Sequence, residues 1–219
     1  MRITENLSDL KKEIPSHVKL VAVTKTHPVE VIMNAYHAGH NVFGENRVQE
    51  LTPKQQDLPK DIEWHLIGHL QTNKVKYIAG FVSMIHSIDR MKLLQEINKY
   101  SEKLHRTIDC LLQIHIAQEE TKFGLSFEEA EEILNSKELT QLKNIRITGL
   151  MGMASLTDDE KQIRKEFKSL KMFFDSLVTR HSSFVILSMG MSSDYKIAIE
   201  EGSNLIRVGS LIFGSRQQH

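Results

Sequence analysis

Residues 20–27 read Leu20-Val21-Ala22-Val23-Thr24-Lys25-Thr26-His27, with Pro28 directly behind. Four apolar residues in a row make a short buried strand, and the lysine falls where such a strand leaves the core. A lysine in that place is either a solvated charge at a strand end or a nucleophile held at the mouth of a pocket by a rigid element. Strand position alone favours the solvated charge, or an amine that binds an anion.

Runs of the same kind recur along the chain. Strand-type segments lie at 19–25, 41–44, 63–68, 81–87, 109–116, 146–153, 183–189 and 204–208. Helix-type segments separate them, at 30–37, 47–55, 73–79, 91–105, 127–134, 158–178 and 193–200, with one more at 6–14 before the first strand. In the longest of these, Ile163, Phe167, Leu170, Phe173, Phe174 and Leu177 recur at helical intervals. Alternating strands and helices argue for parallel strands joined by right-handed crossovers. The strands are near-continuous apolar runs, as expected when both faces are covered. Eight such units predict an α/β fold of the (β/α)8 TIM-barrel type with an extra N-terminal helix, spanning residues 1–219 as a single domain. An open doubly wound sheet remains the alternative, because alternation does not reveal closure.

Composition narrows the function. Of 219 residues, 28 are Lys or Arg and 28 are Asp or Glu, so no net basic charge calls for nucleic acid or an anionic membrane. Cys110 is the one cysteine and lies in an apolar run, which suits a reducing cytoplasm and an inert buried thiol. The first residues lack the apolar stretch of a signal peptide, and no run is long enough to span a bilayer. The expectation is a cytoplasmic, soluble monomer. Eleven histidines invite a metal reading, but no ligand spacing supports one, and a metal is not expected.

In a barrel, functional groups gather where strands end at their C-terminal side. Here the seventh strand runs into Ser188-Met189-Gly190-Met191-Ser192-Ser193-Asp194, and the eighth into Arg207-Val208-Gly209-Ser210. Either loop alone is explained by helix capping and turn chemistry. Together, after strands seven and eight, they occupy the common phosphate site of these barrels. Side-chain alternation puts Leu205, Arg207 and Gly209 on one face of the eighth strand, with Ile206 and Val208 on the other. Arg207 would then point into the barrel, where it must be paired. Its partner is either a barrel carboxylate such as Glu45 or a ligand with a heteroaromatic or anionic group. The same alternation puts Val21, Val23 and Lys25 on one face of the first strand, a neighbour of the eighth if the sheet closes.

These stretches, with Phe43-Gly44-Glu45-Asn46, Trp64-His65-Leu66-Ile67-Gly68-His69-Leu70-Gln71-Thr72-Asn73-Lys74, Gly149-Leu150-Met151 and Leu211-Ile212-Phe213-Gly214, resemble the YggS/PROSC family of pyridoxal-phosphate homeostasis proteins. The likeness runs through almost the whole chain, in order. It implies a barrel similar to the N-terminal domain of alanine racemase, with pyridoxal 5′-phosphate (PLP) held as a Schiff base on Lys25. It further implies a phosphate held by Met191, Ser192, Gly209 and Ser210, a pyridine nitrogen facing Arg207, and pocket walls from Asn46, His69 and Met189. His115 stands where many relatives have an asparagine, ahead of the segment 119–124. The role implied is cofactor storage and vitamin B6 homeostasis without turnover, with PLP-dependent apoenzymes as possible recipients. An amino-acid racemase is the alternative. In such racemases a second base comes from an additional β domain, for which the five residues after Gly214 leave no room.

Overall fold

The computed structural model describes residues 3–119 and 123–214. Residues 120–122 of the segment after the fifth strand, and the stretch after Gly214 on which the missing-domain expectation rests, lie outside the described residues. The strands are β1 (Lys19–Val23), β2 (Val42–Glu45), β3 (Glu63–Leu66), β4 (Met84–Ile88), β5 (Ile108–Ile114), β6 (Ile145–Gly152), β7 (Ile186–Ser188) and β8 (Leu205–Val208). Each pairs in parallel with its sequence neighbour, and β8 pairs with β1 from Lys19↔Leu205 to Ala22↔Val208, so the sheet closes into a barrel. The open-sheet alternative is excluded.

The helices are α1 (Ile3–Glu13), α2 (Val29–His37), α3 (Val48–Asp57), α4 (Val75–Ile78), α5 (Met91–Lys103), α6 (Phe127–Asn135), α7 (Lys137–Gln141), α8 (Glu160–Val178), α9 (Tyr195–Glu200) and α10 (Ser210–Phe213). Residues Thr72–Lys74 form a 3-10 turn ahead of α4. Local chemistry sets several starts. Ser126 and Glu129 form a capping box on α6, and the Asp159 carboxylate accepts N–H groups at the start of α8. α1 packs against α2 and α10, and the Asn6 amide donates to the Ile212 carbonyl at 3.0 Å. The opening helix therefore covers a side of the barrel that the four-residue α10 is too short to cover.

Alternation sorts the strands into two apolar layers. Leu20, Ala22, Ile206 and Val208 join Phe43, Trp64 and Phe213 between barrel and helices, and Phe81 packs against them half-buried. Val21, Val42, Met84, Leu111, Met151 and Leu205 fill the barrel interior. Cys110 is fully buried and its thiol pKa is pushed far up by that burial, as an inert core thiol requires. Among the described residues no helix is long and apolar enough to cross a membrane.

Five of the strands end earlier than expected. β1 stops at Val23, and Lys25 sits in a tight turn rather than on the strand. The expected helix 193–200 begins only at Tyr195, because residues 191–194 form a turn in which the Met191 N–H donates to the Asp194 carboxylate at 2.6 Å.

Candidate functional site

A cavity of about 580 Å3 opens at the C-terminal end of the barrel strands. Lys25 reaches it from the turn after β1, Asn46 from the end of β2, and Arg207 from β8. Met191, Ser192 and Ser193 come from the β7–α9 loop, and Gly209 and Ser210 from the β8–α10 junction. Seven of the nine residues singled out in the sequence thus share one wall system, brought together by barrel closure. His69 instead lines an adjoining cavity of about 530 Å3, which also touches Asn46. Its ring stacks on Phe123 at 4.5 Å and faces Asp89 at 3.3 Å. Met189 is fully buried between barrel and helices, because Ser188, one residue earlier, takes the inward position.

The two glycine–serine loops are physically joined. The Gly209 N–H donates to the Ser192 hydroxyl at 3.2 Å, so Ser192 ties the loops together rather than capping a helix. Gly190 permits the close approach of the first loop. Its φ is +92°, and an added Cβ would lie 2.6 Å from the Ala198 side chain and 2.9 Å from the Tyr195 backbone. Gly190→Ala is expected to cost about 1–3 kcal/mol and to displace the loop from Gly209, measurable as a lower urea midpoint together with weaker anion binding in the cavity.

Arg207 is 4% exposed and has neutral hydrogen-bond partners: it donates to the Ser188 hydroxyl at 2.6 Å and to the Gly152 carbonyl at 3.1 Å. The ion pair with Glu45 considered from sequence does not form. Glu45 is instead paired with Lys54 at 2.6 Å. Burial lowers the Arg207 pKa to about 10 while the Asp194 charge opposes that shift, so the guanidinium stays charged at neutral pH. A buried cation with neutral partners on a cavity wall suits an electron-rich ligand atom.

Behind Arg207 runs a chain of polar side chains that the sequence did not reveal. The Ser188 hydroxyl lies 3.3 Å from His86 Nδ1, and His86 Nε2 lies 2.9 Å from His65 Nδ1. Both rings are fully buried and their pKa values are lowered by that burial, so both are neutral at pH 7. Neutral rings satisfy every contact in either direction along the chain: Arg207 donates to Ser188, and the two remaining hydrogen bonds run toward His65 or toward Ser188 according to the tautomers of the rings. The chain fixes the orientation of Arg207 through the barrel interior. Nothing in the sequence signals this pairing, because His65 and His86 lie 21 residues apart, on neighbouring strands.

His27, Val23, Ile67, Met153, Leu156, Leu211 and Gly214 complete the cavity wall. His27 follows Lys25 by two residues, and proximity in sequence was the one signal for it. His115 lies outside this wall, its ring Nε2 donating to the Glu119 carbonyl at 2.9 Å.

Comparison with known proteins fits this geometry. The family model for the alanine racemase N-terminal domain matches residues 1–217. The pyridoxal phosphate homeostasis protein of Aquifex aeolicus is 41% identical over 201 residues, covering 91% of this chain and 87% of the relative. The chain belongs to the pyridoxal phosphate homeostasis protein family. PipY of Synechococcus elongatus, solved with PLP bound, superposes with a TM-score of 0.88 at 36% identity, covering 97% of this chain and 100% of PipY. Alanine racemase of Clostridium difficile shares the fold, with a TM-score of 0.83 at 17% identity, and this chain covers 57% of its length.

Proposed function

We propose that this protein binds pyridoxal 5′-phosphate through a Schiff base on Lys25 and serves vitamin B6 homeostasis by holding and releasing the cofactor without turning over a substrate. One observation carries the reading: Lys25, Arg207 and the two bridged glycine–serine loops line a single cavity, of a size usual for small-molecule sites. The donor set fits the cofactor. Ser192, Ser193 and Ser210 offer hydroxyls and backbone N–H groups to a phosphate, Lys25 offers an amine to an aldehyde, and Arg207 offers a donor to the ring nitrogen. Asn46 and Met191 line the same space, while His69 and Met189 would act from behind it.

Bound PLP supplies an electron sink for carbanions, and Arg207 weakens that sink, because a guanidinium accepts no proton and repels a protonated ring. Racemisation also needs a second base across the ring. Tyr36 donates to Asp61 at 2.9 Å and Tyr195 to Glu13 at 2.8 Å; Tyr77 packs beneath Lys74 and Lys76, and Tyr100 lies beside Lys99 and Lys103. None of these four tyrosines lines the cavity. These placements support a carrier over a racemase. In this reading the chain acts as one barrel unit, a cytoplasmic monomer handing cofactor to PLP-dependent apoenzymes.

The test begins with an absorbance spectrum of the protein incubated with PLP, followed by borohydride and mass mapping. Wild type is expected to show a near-visible band that borohydride fixes on the peptide carrying Lys25, and Lys25→Ala to show neither. Absence of the band in wild type would overturn the reading. Incubation with D- or L-alanine tests turnover, since accumulation of the opposite enantiomer would overturn the carrier assignment.

A further inference from the structure

Lys25 sits in a turn that its own sequence does not favour. The His27 N–H donates to the Thr24 carbonyl at 3.0 Å, closing a four-residue turn with Thr26 in its third position. Thr26 has φ +67°, the left-handed region where such turns normally place glycine or asparagine. A β-branched residue there is a genuine outlier, and it persists where surrounding contacts over-determine it.

Those contacts come from one helix. The Thr26 N–H donates to Glu50 Oε2 at 2.8 Å, and Lys54 Nζ donates to the Thr24 carbonyl at 2.9 Å. Glu50 and Lys54 are four residues apart on α3 and therefore project from the same face, their charged ends 3.8 Å apart. The peptide groups on both sides of Lys25 are thus held by two neighbouring side chains. The holding side chains are themselves fixed. Lys54 donates to Glu45 Oε1 at 2.6 Å, and the Thr24 hydroxyl donates to the same oxygen at 2.6 Å. Glu45 is fully buried and Lys54 is nearly so, which makes this end of the clamp rigid.

We infer that Glu50 and Lys54 are positioning residues for Lys25: they hold Thr24 and Thr26 in a left-handed turn that keeps the lysine on the cavity wall. The inference rests on the reading of Lys25 as the cofactor lysine, although the clamp itself can be measured without cofactor. A glycine at position 26 would adopt the same φ without strain but would leave the turn free to open. Threonine held by a carboxylate gives a turn with one conformation, which orients the amine before any ligand arrives.

The test is a double-mutant cycle on the whole chain with two readouts. One is the rate at which the PLP band appears after mixing; the other is hydrogen exchange of the Thr26 amide without cofactor. Glu50 is partly exposed, so Glu50→Ala leaves the buried Lys54–Glu45 pair intact and the fold in place. It is expected to slow band formation by about tenfold, the scale of releasing one left-handed non-glycine residue. It is also expected to speed Thr26 exchange by at least about tenfold, since that amide loses its acceptor. In a Thr26→Gly background, adding Glu50→Ala should slow band formation by only about threefold, because the backbone N–H at position 26 still loses its acceptor but no left-handed strain is released. Wild-type rates and protection in Glu50→Ala would overturn the clamp. So would an undiminished tenfold loss in the glycine background, which would mean that Glu50 acts on the ligand directly. If wild type forms no borohydride-fixed adduct, the functional reading falls, and Thr26 exchange alone decides whether the clamp exists.

Discussion

Acidification from about pH 7.5 to about pH 4 is expected to lower the unfolding free energy by about 3 kcal/mol through one buried imidazole, with much of the loss already seen by about pH 5, where most carboxylates are still ionised. His40 is 6% exposed, donates from Nε2 to the Val42 carbonyl at 2.9 Å, and has its pKa pulled down to about 4, by burial first and by the Lys11 charge second. A histidine in the unfolded chain titrates near its ordinary 6.5, so the unfolded chain takes up a proton at a pH where the folded chain does not. Stability is therefore fully present above pH 6.5 and drains away as pH falls from 6.5 toward 4. His65 and His86, both fully buried with lowered pKa values, add losses of the same sign. Urea titrations across this range measure the effect. His40→Asn should reduce the proton uptake on unfolding near pH 5 by about one proton. A urea midpoint that stays level between about pH 7 and about pH 4.5 would show that these imidazoles are not held neutral. Because His86 and His65 orient Arg207 through Ser188, acid should also loosen the cavity floor before the barrel opens.

Lys54→Met is expected to destabilise the protein by about 3–5 kcal/mol, because it strands the Glu45 carboxylate in the core. The pair is 2.6 Å apart, with side-chain exposures of 10% for Lys54 and 0% for Glu45. Burial raises the Glu45 pKa even with Lys54 beside it, and without Lys54 the rise is uncompensated. The deficit of the variant relative to wild type should accordingly shrink as pH falls and the carboxyl becomes neutral. Glu45→Gln in the same chain should restore most of the loss, since glutamine keeps an acceptor for the Thr24 hydroxyl without a charge to solvate. A single variant as stable as wild type, or a double variant no better than the single, would show that the pair is not a buried ionic contact.

The eighth strand shows how much of the site could be read in advance. Alternation alone put Leu205 and Arg207 inside and Ile206 and Val208 outside, and the two apolar layers bear that out. The loops after β7 and β8 were legible because glycines and serines stood at two positions that a barrel makes adjacent. Element ends were less legible. β1, β3, β5, β6 and β7 stop one or two residues before the expected strand ends, since side chains can stay at least half-buried after the backbone has left the ladder. The helices Lys137–Gln141 and Ser210–Phe213 were missed because a single turn is too short to show a period. Nothing in the sequence singled out Lys54 within the helix-type segment 47–55. Its amine is nevertheless 2.9 Å from the Thr24 carbonyl, a contact that no pattern within residues 47–55 encodes.

By itself the sequence determined the order of the eight strands and of the longer helices, the two faces of the first and eighth strands, and the chemistry waiting at several strand ends. These follow from local periodicity, which neighbouring residues impose on one another. The tertiary structure decided that the sheet closes. Pairing Ala22 with Val208 brings the Lys25 turn beside Gly209 and Ser192, across most of the length of the chain. It also decided that His65, His86 and Ser188 form one chain behind Arg207, and that Thr26 adopts a left-handed turn held from α3. Closure depends on the shear and tilt of all eight strands together, so no single segment carries it.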